Sequence, residues 1–408
     1  MRNQSYFLKR RPETGEKTMN FEQIKESDAA HIAPTYNRFS VALESGEGAT
    51  LTDTAGKKYI DFTSGIGVNI FGVNDGQWKS AVIAQLNKVQ HTCNLYYTEP
   101  QTRLAALLCE KSGAKKVFFG NSGAEANECA IKAARKYSFR KYGEGRYEIV
   151  TLVNGFHGRT LATLAATGQE EFHKYFGPFP GGFVYAEPEF AAVKEKISEK
   201  TCAVMMELIQ GESGVHVLDE NFVRQITEYC RAKDILVIVD EVQSGNGRTG
   251  YMYSYQGYGI IPDIVTTAKG LGGGLPIGAC LLFEKTADAF SCGDHGSTFG
   301  GNPVVCAGAV SIVERLTDDL FLEVRAKGDY LKTFLSKIKG VEEVTGKGLM
   351  IGLKLHPGVS VRAAAEKCLE KGLMVLTAHD RLRLLPPLTI TKTEMNEGLK
   401  ILNEVLAE

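Results

Sequence analysis

No stretch of the sequence stays apolar for the roughly 20 residues that a bilayer-spanning helix needs, and no excess of one charge sign marks it for a polyanionic partner. Lys and Arg number 47 and Asp and Glu 48, a formal net charge of −1. Neither nucleic acid nor an anionic membrane is therefore expected as a partner. The nine cysteines (93, 109, 129, 202, 230, 280, 292, 306 and 368) form no C-x-x-C pair, and the eight histidines show no metal-ligand spacing. No metal is expected. Several of the cysteines lie in apolar surroundings and read as reduced core residues of a cytoplasmic protein. The opening MRNQSYFLKRRPETGEK is basic but has no apolar centre, which excludes a secretory signal and leaves a tail. Internal repeats and low-complexity tracts are lacking as well.

What is there is a long globular chain of 408 residues, 43% of them hydrophobic. That is more than one core encloses and suits two domains. The stretch DIVTTAKGLGGGLPIGACLLF, 263 to 283, organises it. An apolar run closes at Ala268, Lys269 follows, then Gly270, Gly272, Gly273 and Gly274, and a second apolar run fills 277 to 283. Glycines let the chain turn tightly and admit close approach by another group. A lysine between two buried strands is poorly solvated, which lowers its pKa. A neutral amine is a nucleophile that forms a Schiff base with an aldehyde. On this stretch alone, a surface hairpin with an ordinary lysine stays open. A second piece is LVIVDEVQSG, 236 to 245, where a continuous apolar run leads into Asp240 and Glu241. Such a run reads as a strand buried on both faces. Acids just past its end sit where open α/β sheets bind ligands. An Asp there can hold a proton on a pyridine nitrogen; the alternative is a metal-binding or capping Asp.

Taken in order, residues 21 to 34 read as a short helix ending before Pro34, and 35 to 67 as short antiparallel strands between glycine-bearing turns. Helical spacing follows at 77 to 90 and again to a stop at Gly113. In KKVFFGNSGAEANECAIKAARKYSFRKYG, 115 to 143, a strand at Val117 to Phe119 turns through Gly120 to Gly123 into an alanine-rich helix. Ser122 stands where its hydroxyl and the helix's unpaired N–H groups can hold a phosphate; a ligand-free N-cap is the alternative. The turn has neither the G-K-[ST] ending of a Walker loop nor a dinucleotide fingerprint. The strand 147 to 153 ends in NGFHGRT, 154 to 160. Phe156 there can cover a flat cofactor face, and Arg159 can clamp a carboxylate; simple core packing and a surface ion pair are the competing readings. A strand from 201 leads to Glu207, Gln210 and Glu212, a helix capped by Asp219 follows, and then the strand into Asp240. This is the βαβ order of a doubly wound sheet. A glycine-rich loop with Ser297 and Thr298 precedes a long helix from about Pro303. Three parts are expected: 1–47 packing with the C-terminal part, a large domain over 48–304, and a smaller α+β domain over 305–408.

Six motifs together resemble one family across nearly the whole chain: FFGNSGAEANE (118–128), GFHGRT (155–160), IQGESGV (209–215), VDEVQSGNGRTG (239–250), TTAKGLGGGLPIGA (266–279) and HGSTFGGNP (295–303). The chain resembles the class III, fold-type I aminotransferases that depend on pyridoxal 5'-phosphate, and most of all those acting on acetylornithine. The resemblance implies an α/β fold with a mostly parallel central sheet and a homodimer with shared active sites. It implies transfer of the terminal amino group of N2-acetylornithine to 2-oxoglutarate in arginine synthesis. Ornithine, succinylornithine and 4-aminobutyrate are alternative donors, and a non-catalytic α/β binding or scaffold protein is the competing class. By the same resemblance, Lys269 would hold the cofactor covalently, Asp240 would pair with its ring nitrogen and Gln243 with its phenolic oxygen. Val242 and Phe156 would flank the ring. Ser122, Gly123 and Ala124 would hold the phosphate with Thr298 of the other subunit. Arg159 would take the amino acid's α-carboxylate, and Arg383 a carboxylate of the keto acid, with Glu212 as its switchable partner. Ser297, Tyr36 and Asn37 would lie near the substrate. Two departures stand out: GVNDG (72–76) replaces the family's G-H-x-H-P, and Leu208 replaces the proline of E-P-x-Q-G.

Overall fold

The computed structural model describes residues 19 to 407; the tail expected over the first 17 residues lies outside them. At its centre is a seven-stranded sheet in the spatial order Lys116–Gly120, Gly278–Leu282, Ile264–Thr267, Leu236–Asp240, Thr201–Met206, Glu148–Leu152, Phe183–Ala186. Six of these strands run parallel. Gly278–Leu282 alone is antiparallel to both neighbours. The apolar runs explain the placement: every residue of Thr201–Met206, Leu236–Asp240, Ile264–Thr267 and Gly278–Leu282 is buried, as strands covered by helices on both faces require.

The helix Gly123–Tyr142 covers one face. Ser122 caps it by accepting from the Glu125 N–H, and it ends at Gly143 with φ 77°. Ala126, Ala130, Ala133 and Ala134 are buried on its inner side with Cys129, and small side chains let it lie close to the strands. Glu220–Ala232 covers the other face. Asp219 accepts from the Phe222 N–H at its start, and Phe222, Val223, Ile226 and Cys230 are buried at helical spacing.

Because six strands share a direction, their carboxyl ends meet at one edge. The chain leaves the sheet there at Gly120, Leu152, Met206, Asp240 and Thr267, and these exits carry the motifs read from the sequence. This is the edge at which open α/β sheets bind ligands.

The C-terminal part is a four-stranded antiparallel sheet in the order Val341–Lys347, Met350–Leu355, Arg381–Leu384, Leu376–Ala378, packed with the helices Asp318–Leu335, Val361–Glu370 and Lys392–Leu406. Near the N-terminus, Leu43–Glu47, Thr50–Asp53 and Lys58–Asp61 form a meander, and Leu373–Met374 adds in parallel to its last strand. Backbone pairing therefore runs across residue 47, where the sequence alone suggested a boundary. The segment GVNDG starts a helix instead of carrying a His-x-His turn. Asp75 accepts from the Trp78 N–H and pairs with Arg315, while the indole of Trp78, the sole tryptophan, donates to Gly272 O at 3.0 Å behind the Lys269 loop.

Candidate active site

A cavity of about 410 Å³ opens at the carboxyl edge of the sheet. Ser122, Gly123, Ala124, Phe156, Asp240, Val242, Gln243 and Lys269 all line it, with Asn127, His157 and Glu207 among their neighbours. Close approach at one end depends on glycine. A Cβ on Gly123 would lie 2.7 Å from Val242 Cγ1, and one on Gly278 would lie 2.0 Å from Ser122 O. Gly123 and Ala124 sit in the first turn of their helix, where backbone N–H groups have no helical acceptor and the helix dipole favours an anion. Asn121 extends this end by donating to Ser297 Oγ at 3.1 Å.

Asp240 forms the floor. Its Oδ2 accepts from Asn127 Nδ2 and from His157 Nδ1, each at 2.8 Å, and its Oδ1 accepts from the Val242 N–H at 3.0 Å. Three donors on a buried carboxylate hold its orientation. Lys269 stands on the neighbouring strand end in a left-handed conformation, φ 44°. Its amine has no hydrogen bond or ion pair among the described residues. Burial, with the Arg383 cation beside it, lowers its pKa, and the charge of Glu212 offsets this only in part. Glu207 is a second buried carboxyl, accepting from the Phe156 N–H at 2.9 Å. Burial, reinforced by the charge of Asp240, pushes it up to about 8, so at neutral pH it carries a proton while holding the backbone of Phe156.

The C-terminal sheet delivers Arg383, which is 2% exposed. Its Nη1 donates to Glu212 Oε1 at 2.8 Å, Gly211 O at 3.0 Å and Gln243 Oε1 at 3.1 Å, and its Nη2 to Glu212 Oε2 at 3.3 Å. Gln243 Nε2 donates in turn to Glu212 Oε1 at 3.2 Å. Burial would raise the Glu212 carboxyl, but the Arg383 and Lys269 cations and these hydrogen bonds outweigh it and hold it at about 2. Glu212 and Arg383 are thus paired and mutually neutralised. Arg159 is unlike Arg383: it is exposed, and among the described residues it makes no ion pair, contrary to the surface-pair reading. Its guanidinium lies over the Phe172 ring, 4.0 Å from the centroid, and 5.4 Å from that of Phe156.

Other expected site residues lie apart from the cavity. Thr298 is exposed and does not line it within the chain. Tyr36 and Asn37 lie on the surface, where Arg362 Nη1 donates to Asn37 O at 3.2 Å, and neither lines the cavity. Sequence reasoning missed Asn127, His157 and Phe172. His157 lay inside a quoted motif, and Asn127 sits one and a half turns after Ser122. For Phe172 no signal marked it out from core aromatics.

The set of groups fits pyridoxal 5'-phosphate. A helix N-terminus suits its phosphate, a buried carboxyl group held by three donors suits its ring nitrogen, Val242 and Phe156 offer apolar flanks, and an unpartnered amine of lowered pKa faces the same space.

Known proteins resemble this chain over nearly its whole length. Residues 31 to 406 match the family model Aminotransferase class-III. The acetylornithine aminotransferase of Haemophilus ducreyi is 50% identical over 392 residues, covering 96% of this chain and all of that protein. The acetylornithine aminotransferase of Caldanaerobacter subterraneus subsp. tengcongensis is 46% identical over 388 residues, covering 93% and 98% of the two chains. Among solved structures, the ornithine aminotransferase of Toxoplasma gondii superposes with a TM-score of 0.91 at 28% identity, covering 96% of each chain.

Proposed function

We propose a reaction for a chain that belongs to the class-III aminotransferase family, whose members depend on pyridoxal phosphate: transfer of the terminal amino group of N2-acetylornithine to 2-oxoglutarate, giving N-acetylglutamate 5-semialdehyde and glutamate. The observation that carries it is the contrast between two arginines. Arg159 has its donors free, and Arg383 is closed by Glu212. A donor with its reacting amine at one end and a single carboxylate far from it needs one open arginine. The acceptor, with a carboxylate at each end, needs two. Movement of Glu212 away from Arg383 supplies the second, so one pocket serves both substrates in turn.

When bound, the cofactor supplies an aldehyde that takes up the donor amine and a protonated ring that withdraws electrons from the adjacent carbon. The chain's own groups do the rest. Ser122, Gly123 and Ala124 fix the phosphate. Asp240, oriented by Asn127 and His157, keeps a proton on the ring nitrogen. Lys269 Nζ, with its lowered pKa, would take a proton from the substrate carbon as general base and give one back as general acid. Phe156 and Val242 keep the ring flanked and exclude water. Glu212 with Arg383 selects between substrates by charge.

The same reading places the enzyme in the cytoplasm, in arginine synthesis, as a homodimer in which Thr298 of each subunit completes the other's phosphate site. Supporting the dimer, the exposed apolar residues Leu95, Tyr96, Tyr97 and Phe299 adjoin the Thr298 loop, since Asn94 Nδ2 donates to Ser297 O and Gly300 O. The test of substrate is a comparison of kcat/KM for N2-acetylornithine, ornithine, succinylornithine and 4-aminobutyrate with 2-oxoglutarate in excess. Preference for N2-acetylornithine is expected. Preference for free ornithine would overturn the donor and leave the reaction type in place.

A further inference from the structure

Arg159 is held in an unusual way for a carboxylate-binding arginine. No acid, carbonyl or amide of the described chain accepts from its guanidinium, although Glu170 and Glu171 lie only two and one residues before Phe172. Instead the guanidinium sits over the Phe172 ring at 4.0 Å. Phe172 meets Phe156 edge-on, centroids 5.9 Å apart at 79°, so one ring links the arginine to the aromatic wall of the cavity. The ring is itself anchored. It ends the short 3-10 turn Glu170–Phe172, and Gln169 just before that turn is tied on two sides. Gln169 Nε2 donates to Asn154 O at 3.2 Å and Gly155 O at 3.1 Å, at the end of the strand Glu148–Leu152, and Gln169 Oε1 meets His379 Nε2 of the C-terminal part at 2.9 Å.

A carboxylate partner would hold Arg159 by using up its N–H donors. An aromatic face holds the cation through the negative face of its quadrupole and leaves the five donors available. We propose that Phe172 is a positioning and specificity-determining residue: its π face presets Arg159, donors free, to receive the carboxylate at the far end of the substrate. The inference deepens the proposed function and rests on Arg159 as the carboxylate clamp. It makes selection for carboxylate-bearing substrates depend on a residue that itself makes no polar contact with them. Both the donor and 2-oxoglutarate present a carboxylate remote from the reacting atom, so both depend on Phe172, whereas a terminal amine with no carboxylate does not.

The test uses the full-length enzyme loaded with pyridoxal phosphate and its Phe172→Leu, Phe172→Tyr and Arg159→Ala variants. Pentafluorophenylalanine at position 172 is added, because it keeps the ring's shape and removes its negative face, and so remains informative should Leu disturb folding. Binding of glutarate, an unreactive dicarboxylate, is measured by calorimetry. KM and kcat are measured for N2-acetylornithine and for 1,4-diaminobutane, with 2-oxoglutarate raised to saturation separately for each variant. Loss of the π face is expected to weaken glutarate binding and raise the N2-acetylornithine KM by about tenfold, with kcat within twofold and 1,4-diaminobutane unaffected. Phe172→Tyr should behave as the parent. Parent-like glutarate binding in the Leu or pentafluoro variant, with Arg159→Ala impaired, overturns the role of Phe172 and leaves the clamp standing. Parent-like binding in Arg159→Ala overturns the clamp and the role of Phe172 with it.

Discussion

Glu212→Gln isolates the charge that closes Arg383 while keeping the size and most of the hydrogen bonding of the side chain. In the parent, the Arg383 and Lys269 cations and the hydrogen bonds around Glu212 overcome the cost of its burial and take its pKa from 4.5 to about 2. That corresponds to on the order of 3 kcal/mol in favour of the charged form. Water at the 28% of the Glu212 side chain that remains exposed screens part of it, leaving about 2 kcal/mol. A depressed carboxylate pKa stabilises the fold above the unfolded value and loses that contribution as pH falls through the folded one. Urea unfolding of the variant should therefore show a deficit of about 2 kcal/mol at pH 7 that shrinks as pH is lowered from 4.5 toward 2. The same lost charge leaves Arg383 permanently open. Glutamate, with two carboxylates, should then compete as a donor. The ratio of its kcat/KM to that of N2-acetylornithine should rise by at least about tenfold, in line with roughly 2 kcal/mol of differential binding. Unfolding curves that superimpose on the parent at pH 7, together with an unchanged substrate ratio, would refute the charge-gate reasoning.

Asp240→Ala should retain much of its cofactor, since phosphate and lysine contacts remain, yet lose transamination far more than it loses cofactor content; near-parental turnover removes the electron-sink role. Glu207 has its pKa raised to about 8, so the folded chain holds one more proton than the unfolded chain between about pH 4.5 and 8, and stability falls as pH rises through that window by up to about 1.4 kcal/mol per pH unit. Glu207→Gln should flatten that slope in denaturation of the cofactor-free protein and be more stable than the parent at pH 8.5; an identical slope means that Glu207 is not protonated in the fold. Sedimentation at assay concentration should give a dimer or a larger even assembly, and a fully active monomer would exclude a phosphate site shared through Thr298.

The central sheet was legible because its strands are buried on both faces and so appear as unbroken apolar runs, as in Leu236–Asp240. The convergence of Ser122, Asp240 and Lys269 on one cavity followed from strands running into polar turns at a common edge. The reversed direction of Gly278–Leu282 was not legible, since a buried strand reads the same in either direction. Nor was the pairing of Leu373–Met374 with Lys58–Asp61, which joins segments more than 300 residues apart without a charge or turn signal. Asn127 and His157 acquire their meaning only when helix and loop meet at Asp240. Glu207 looked like any acid after a strand, and only its enclosure beside Asp240 raises its pKa. Tyr36 and Asn37 were placed by motif position alone, and Arg362 holds their segment on the surface away from the cavity.

The most direct test of the central claim follows one nitrogen atom. N2-acetylornithine labelled with 15N only at its terminal amine is incubated with the enzyme and unlabelled 2-oxoglutarate, and the products are read by mass spectrometry. The label should appear in glutamate in a one-to-one ratio with N-acetylglutamate 5-semialdehyde, whose amide nitrogen stays unlabelled. Release of the label as ammonia, or its retention in the donor while other terminal amines react, would contradict the account.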